Sequence, residues 1–452
     1  MARWLSIVLL SCFWCATAHA EEKPRRLNIV LLCTDDQRHD TLGCTGNKII
    51  QTPHLDALAR AGVVYDNSFV TTSICAISRA SLFTGQYARR HQITDFATPL
   101  SPEQLANAYF GQLRTAGYRT GFIGKWGVGN RLPIKEFDYW AGFGGQGRYF
   151  AKGDEEHLNR KMARQASEFL AGCSGEQPFC LQISFKAAHA QDGEAWEYPT
   201  EPDLRDLYKD VHIPPPVTAT PEHFVALPAM LQTSEARRRW QPRFSDAERY
   251  QTTVKDYYRL ITGVDRVAGE IVKTLRDKGW LDETLIIFTS DNGYYLGDFG
   301  LADKWFMHEP SIRVPLVIFD PRRPASERGR HEATWALNID IAPTILGAAG
   351  LSAPDGMQGL DLCATANTKQ LAARREFYYE HPFRHAAIPQ VTGVRGERYK
   401  LARYEQQGKV VEQLFDLKDD PHEQRDLAAS PAHQGQLQAL RARLATWQKD
   451  VE

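Results

Sequence analysis

Past its opening residues the chain has no apolar run of membrane-spanning length, and it has no excess of charge of either sign. Lys and Arg number 54 against 55 Asp and Glu, a formal net charge of -1, which gives no reason to expect a nucleic-acid partner. A local cluster of basic side chains can still hold an anionic substrate. Internal repeats are absent too. What is present is an ordinary globular composition, 43% apolar and 24% charged, over 452 residues. That length suits one large domain and a smaller one.

Residues 1–20 read as a cleaved export signal: a basic start at Arg3, an apolar stretch from Trp4 to Trp14, and the small-x-small site Ala18-His19-Ala20. The sequence therefore predicts an exported protein, periplasmic or extracellular, or lysosomal in a eukaryote, with no membrane span. Cys12 and Cys15 leave with the signal, so Cys33, Cys44, Cys75, Cys173, Cys180 and Cys363 remain. None of these six shows the CxxC spacing of a zinc or redox site. In an oxidising compartment, Cys173 and Cys180 are expected to be able to pair across the turn between them.

Four short apolar runs, Leu27–Thr34, Phe179–Phe185, Thr284–Ser290 and Val314–Phe319, read as buried strands, the first as a parallel one. Amphipathic helical patterns lie between them at Thr52–Ala61, Tyr109–Ala116 and Tyr250–Lys278. The alternation predicts an α/β domain at 25–362: a large mixed, mostly parallel sheet sandwiched by helices. After Leu362 the pattern changes to short strands at Glu376–Tyr379, Gln390–Arg395 and Tyr399–Tyr404, then a helix within Pro431–Asp450. That implies a smaller C-terminal α+β domain at 363–452 with a short antiparallel sheet. Ala187–Ser245 is the least regular part, with the composition of a binding loop or of a surface insertion.

Ligands of open parallel sheets bind outside the carboxyl ends of the strands. Asp35-Asp36 and Asp291-Asn292 stand at two such ends. They offer only oxygen donors, which suit calcium or magnesium better than zinc. Either pair alone reads equally well as a helix cap or turn. Cys75, followed four residues later by Arg79, leads into a helical stretch, so a thiol near a helix N-terminus has a cation one turn on. That arrangement suits an anion.

The segment from Cys75 to Gly85 resembles the type I sulfatase signature C-x-P-S-R-x-x-x-[apolar]-T-G at Cys75, Ser78, Arg79, Thr84 and Gly85. NIVLLCTDDQR, GFIGKWG, SFKAAH, FTSDNG and DKWFMHEPSIRVP follow the family's order from about Asn28 to Asp320. The segments Gly393-Val394-Arg395 and Leu414–Leu417 resemble its small domain. The resemblance implies hydrolysis of an organic sulfate ester, with Cys75 oxidised to formylglycine by a maturing enzyme. It implies calcium held by Asp35, Asp36, Asp291, Asn292 and modified Cys75. Arg79 then stands beside the aldehyde hydrate, Lys125 binds sulfate, and His189 and Lys304 lie near the bridging oxygen. Of those two, His189 is favoured as the proton donor because its ordinary pKa is near neutral.

Two positions depart from the family. Ile77 stands where Pro or Ala is usual, and Gly127 stands where a His after Lys125-Trp126 is usual; His91 is considered as a stand-in. The Arg- and aromatic-rich stretch Trp196–Arg249 suggests a cleft for a sulfated sugar or polyanion, although it also reads as a solvated surface. Two other functions stay open: a phosphatase or phosphonate monoester hydrolase of the same superfamily, and a non-catalytic binding protein with unmodified Cys75.

Overall fold

The computed structural model describes residues 26–153, 155–364 and 368–452; the export signal expected at residues 1–20 lies outside the described residues. In chain order the strands are β1 Asn28–Thr34, β2 Val63–Phe69, β3 Arg119–Lys125, β4 Tyr139–Phe143, β5 Phe179–Ser184, β6 Thr284–Ser290, β7 Tyr295–Leu296, β8 Ala302–Asp303, β9 Leu316–Phe319 and β10 Arg330–Leu337. They are succeeded by β11 Glu376–His381, β12 Gln390–Gly396, β13 Tyr399–Gln406 and β14 Lys409–Asp416.

Eight strands form the main sheet, in the order β10-β2-β9-β6-β1-β5-β3-β4. Successive residues of a strand face opposite sides, and here both sides are apolar. Val30 and Leu32 of β1 enter one core, whereas Ile29, Leu31 and Cys33 enter the other. The helix Ala247–Asp277 covers the first face with Val254, Ile261, Val264 and Ile271. It starts at Asp246, whose carboxylate accepts the N–H of Arg249 at 2.9 Å. The helices Tyr109–Thr115 and Ile341–Ala348 cover the second face. Two-sided burial is the physical reason these strands read as continuous apolar runs.

The fourth run differs in direction from its fellows. β9 pairs antiparallel with both β6 and β2, whereas the other neighbours in the sheet are parallel. The chain leaves β6, makes the small β7–β8 hairpin, and re-enters the sheet from the same end. No helical crossover is made, so the strand must run backwards.

The C-terminal sheet is an antiparallel meander, β11-β12-β13-β14. Its last strand, β14, was not among the three strands read from the sequence. Gln407 and Gly408 turn the chain at φ 51° and 75°, joining β13 to β14 by a two-residue hairpin. Helix Gln434–Asp450 packs Leu437, Leu440 and Leu444 into a core that also holds Phe69, Trp305 and Ile312. The two sheets therefore share one apolar seam. Cys173 and Cys180 do not pair; the six described cysteines are free. Cys180 is buried within β5, while the Cys173 thiol donates to the Phe169 carbonyl at 3.4 Å.

Candidate functional site

Three strands of the main sheet and a helix N-terminus bring the sequence-read residues together. Asp35 and Asp36 follow β1, and Asp291 and Asn292 follow its neighbour β6. Lys125 ends β3, two strands away on the other side. Cys75 is the first residue of helix Cys75–Thr84, and Arg79 lies one turn further on. All seven of these side chains are buried.

Arg79 ties the centre together. Its Nε donates to Asp291 Oδ2 at 2.8 Å, its Nη2 to Asp35 Oδ2 at 3.2 Å, and its Nη1 to the Lys125 carbonyl at 2.9 Å. The Lys125 ammonium donates to Asp35 Oδ2, and to Gln146 Oε1 at 2.6 Å. Lys304 arrives on a loop whose flanking residues, Asp303 and Trp305, take left-handed φ of 65° and 83°. Its Nζ donates to Asp36 Oδ1 at 2.5 Å and Oδ2 at 2.7 Å. The amide of Asn292 donates to the same Oδ1 at 2.5 Å. His189 is held by Nδ1 donating to the Ala190 carbonyl at 2.7 Å, which leaves Nε2 facing Asp36 Oδ2 at 3.6 Å. Cys75 Sγ lies within 4.8 Å of ligand atoms of Asp35 and His189, so the residues that the resemblance assigned to the site form one buried cluster.

The charges in this cluster are uneven. Burial would raise Asp35, but Lys125, His189 and Arg79 outweigh it and hold its carboxyl far below the usual range. Asp36 goes the other way: burial, opposed by Lys304 and reinforced by Asp35, Asp303 and Asp291, lifts it to about 7. Asp291 is raised as well, by burial and then by Asp35. Burial and Asp35 push the Cys75 thiol up to about 12, so an unmodified Cys75 is a poor nucleophile at neutral pH. His189 is driven well below its ordinary value by burial and then by Lys304.

A divalent cation fits this donor set. Oxygens of Asp35, Asp36 and Asp291 lie within 4.8 Å of one another. Asp35 Oδ1 and Asn292 Oδ1 are buried without a hydrogen-bond partner, an expensive state that a metal–oxygen bond relieves. The crowding that raises Asp36 and Asp291 would be relieved in the same way.

One expectation is corrected. His91 is no stand-in for the family histidine: its Nε2 faces Ser81 Oγ at 3.0 Å and its Nδ1 accepts the Ile93 N–H at 3.0 Å. Both nitrogens are committed near the far end of the Cys75 helix. Within Trp196–Arg249, read from sequence as a cleft lining or a solvated surface, Arg239 and Arg243 are held by carboxylates. Arg243 is buried and pairs with Asp303 at 2.7 Å and Glu197 at 2.6 Å; Arg239 pairs with Asp192 at 2.8 Å and with Asp303 at 3.2 Å. They border a cleft of about 720 Å³ with Asp192, Trp196 and Glu197, and their shared partner Asp303 stands beside Lys304. The stretch that holds these arginines was read from sequence as a cleft lining, but their partner Asp303 was not read as part of the site.

The chain matches the family model described as Sulfatase over residues 27–351, and the one described as N-sulphoglucosamine sulphohydrolase, C-terminal, over residues 297–450. An N-acetylglucosamine-6-O-sulfatase of Bacteroides thetaiotaomicron is 28% identical over 517 residues, spanning 99% of this chain and 90% of that protein. A solved structure described as a complex with its substrate D-glucosamine-2-N,6-O-disulfate has a TM-score of 0.79 at 24% identity, covering 94% of this chain and 98% of that one. The phosphonate monoester hydrolase of Agrobacterium radiobacter reaches 0.78 at 20% identity over 94% of this chain and 96% of its own. Fold alone is therefore common to both chemistries. The family match over most of the chain decides: this protein belongs to the sulfatase family of the alkaline phosphatase superfamily, a family of sulfuric ester hydrolases.

Proposed function

We propose that this chain hydrolyses a sulfate ester on a saccharide, releasing an alcohol and inorganic sulfate. The observation that carries the reading is the convergence of Cys75, Arg79 and Lys125 with four oxygen-bearing side chains, two of them with orphaned oxygens. Asp35, Asp36, Asp291 and Asn292, with modified Cys75, would hold a calcium ion, and formylglycine made from Cys75 by a maturing enzyme would supply the attacking hydroxyl. When bound, the ion supplies Lewis-acid neutralisation of a sulfate oxygen.

The chain's own residues do the rest. Arg79 fixes the nucleophile's helix turn against Asp291 and Asp35. Lys125, freed from part of its pairing with Asp35, binds a sulfate oxygen. Lys304 and His189 stand on the leaving-group side. Lys304 carries its proton, because Asp36, then Cys75 and Asp303, outweigh burial and raise it well above its usual value. His189 is neutral in the free protein and exposes only a bare Nε2, so it must first gain a proton before it can donate one. On this reading Lys304 is the donor, in place of the histidine favoured by sequence. Residues 25–362 form the catalytic unit and 363–452 its smaller companion, in a protein exported by its leader. The described residues hold no helix long and apolar enough to cross a membrane.

A saccharide suits the cleft. Trp196 offers a partly exposed ring, and Asp192, Glu197, Arg239 and Arg243 offer paired charges that hydrogen-bond hydroxyls without presenting one dominant sign. The Bacteroides relative and the neighbour solved with a disulfated glucosamine point the same way. Mass spectrometry of the Cys75 peptide from the native host should show loss of the thiol sulfur. Cys75→Ala should then abolish turnover on a panel of sulfated saccharides while the protein stays folded. An unmodified cysteine, or substantial turnover by the alanine variant, refutes the mechanism.

A further inference from the structure

β5 lies between β1 and β3 in the sheet, so the residues after the three strands emerge side by side. β1 delivers Asp35 and β3 delivers Lys125. β5 delivers Phe185 and then Lys186, a side chain so far without a role. The segment is stitched to the site: the Asp35 N–H donates to the Ala187 carbonyl at 2.9 Å, and the Ala188 N–H donates to the Asp35 carbonyl at 2.7 Å.

Lys186 is 1% exposed, as deeply placed as Lys125 at 1% and Lys304 at 2%. Each of those two is paired with a carboxylate, Asp35 and Asp36 respectively. Lys186 forms no ion pair among the described residues. Its Nζ donates to the Ala190 carbonyl at 3.2 Å and lies 5.1 Å from the centre of the Tyr149 ring. The same Ala190 carbonyl accepts from His189 Nδ1, so the ammonium sits beside the histidine on the leaving-group side. A carbonyl and a π face offset only part of the free energy of burying a full charge. Burial, and then the nearby charge of Lys125, lower the ammonium to about 8.

We infer that Lys186 is a substrate-contacting residue whose ionic partner is an oxyanion of the bound substrate. This rests on the sulfatase reading and deepens it. The oxyanion is either the scissile sulfate or a second anionic group on the same sugar ring. A purely structural lysine would stabilise the free protein; a lysine waiting for a ligand is a liability until the ligand arrives.

The test uses calcium-loaded wild-type, Lys186→Met and Lys186→Arg proteins. Calorimetric titration with inorganic sulfate reads the first source, and the kcat/KM ratio for disulfated over 6-O-monosulfated glucosamine reads the second. Thermal melting reads the structural alternative. Lys186→Met should keep or raise the melting temperature yet weaken sulfate binding about tenfold or erase the disulfate preference, with Lys186→Arg recovering most of the loss. Unchanged sulfate affinity and an unchanged substrate ratio in Lys186→Met overturn the inference while leaving the sulfatase reading intact. A wild-type protein that neither binds sulfate nor cleaves any sulfate ester overturns both.

Discussion

At the scale of single residues, the departure at Gly127 has a steric explanation. Gly127 has φ of 79°, and a Cβ built there would lie 2.7 Å from Cδ of Arg79. Arg79 cannot swing aside, because its guanidinium is tied to Asp291, Asp35 and the Lys125 carbonyl. This loop has therefore settled on a backbone that excludes the family histidine. Gly127→His is expected to lower activity and the melting temperature, since left-handed strain and the clash act together. A variant with higher kcat would show that the loop relaxes and that the histidine had simply been lost. Ile77, the other departure, is wholly buried in the same helix as Cys75 and packs with Phe69 and Ile312. Its apolar side chain fits that seam as a core residue.

At the scale of elements, the sequence exposed the site because strand ends are marked twice. An apolar run shows where the strand is, and the polar residue after it shows where it stops. Asp35 and Asp291 were legible for that reason, whereas Lys125 ends a strand that no apolar run marked and was legible only through the resemblance of GFIGKWG to the family's motif. The backward direction of β9 was not, because a strand buried on both faces has the same composition whichever way it runs. Nor was the partnership of Arg243 with Asp303, 60 residues apart in the chain, since it depends on where the helix Glu235–Phe244 docks. Lys186 escaped notice because only the order β1-β5-β3 makes it a neighbour of Asp35 and Lys125. That order in turn depends on close strand approach at Gly124, which opposes Ser184 of β5. Gly124 has φ of 95°, and its Cβ would meet the Ser184 carbonyl oxygen at 2.2 Å. Gly124→Ala should destabilise by more than about 1 kcal/mol in urea unfolding and reduce kcat/KM at least tenfold by misplacing Lys125. Loss of stability with unchanged kcat/KM would mean that Lys125 is positioned independently of the strand.

At the scale of the molecule, the seam between the two sheets sets the response to acid. Glu309 of the main domain accepts from Lys400 of β13 at 2.9 Å and from Arg395 of β12 at 3.2 Å. Burial alone would raise its carboxyl, but Arg395 and Lys400 outweigh it and hold it well below the usual range. Its contribution is therefore present above about pH 4.3, the unfolded value, and is lost as the pH falls below that. Buried histidines act earlier with the same sign. His91, His308 and His381 are lowered to about 3, chiefly by burial, so they stay neutral in the folded protein. Unfolded histidine takes a proton near pH 6.5, and from there downward the unfolded state gains protons that the folded state refuses. These histidines make stability fall progressively from about pH 6.5, with proton uptake on unfolding near three from them by about pH 5, and they are opposed by Asp36 and Glu423, which burial raises to about 7 so that unfolding releases their protons. His381 offers the clean test, because its ring is fully buried and forms no ion pair among the described residues. Replacing it with Phe should leave stability at pH 7.5 little changed and remove about one proton from the uptake measured by calorimetric unfolding at pH 5. The same uptake in His381→Phe as in the wild type would mean that this histidine already titrates freely in the folded chain, and that the seam opens well before the molecule unfolds.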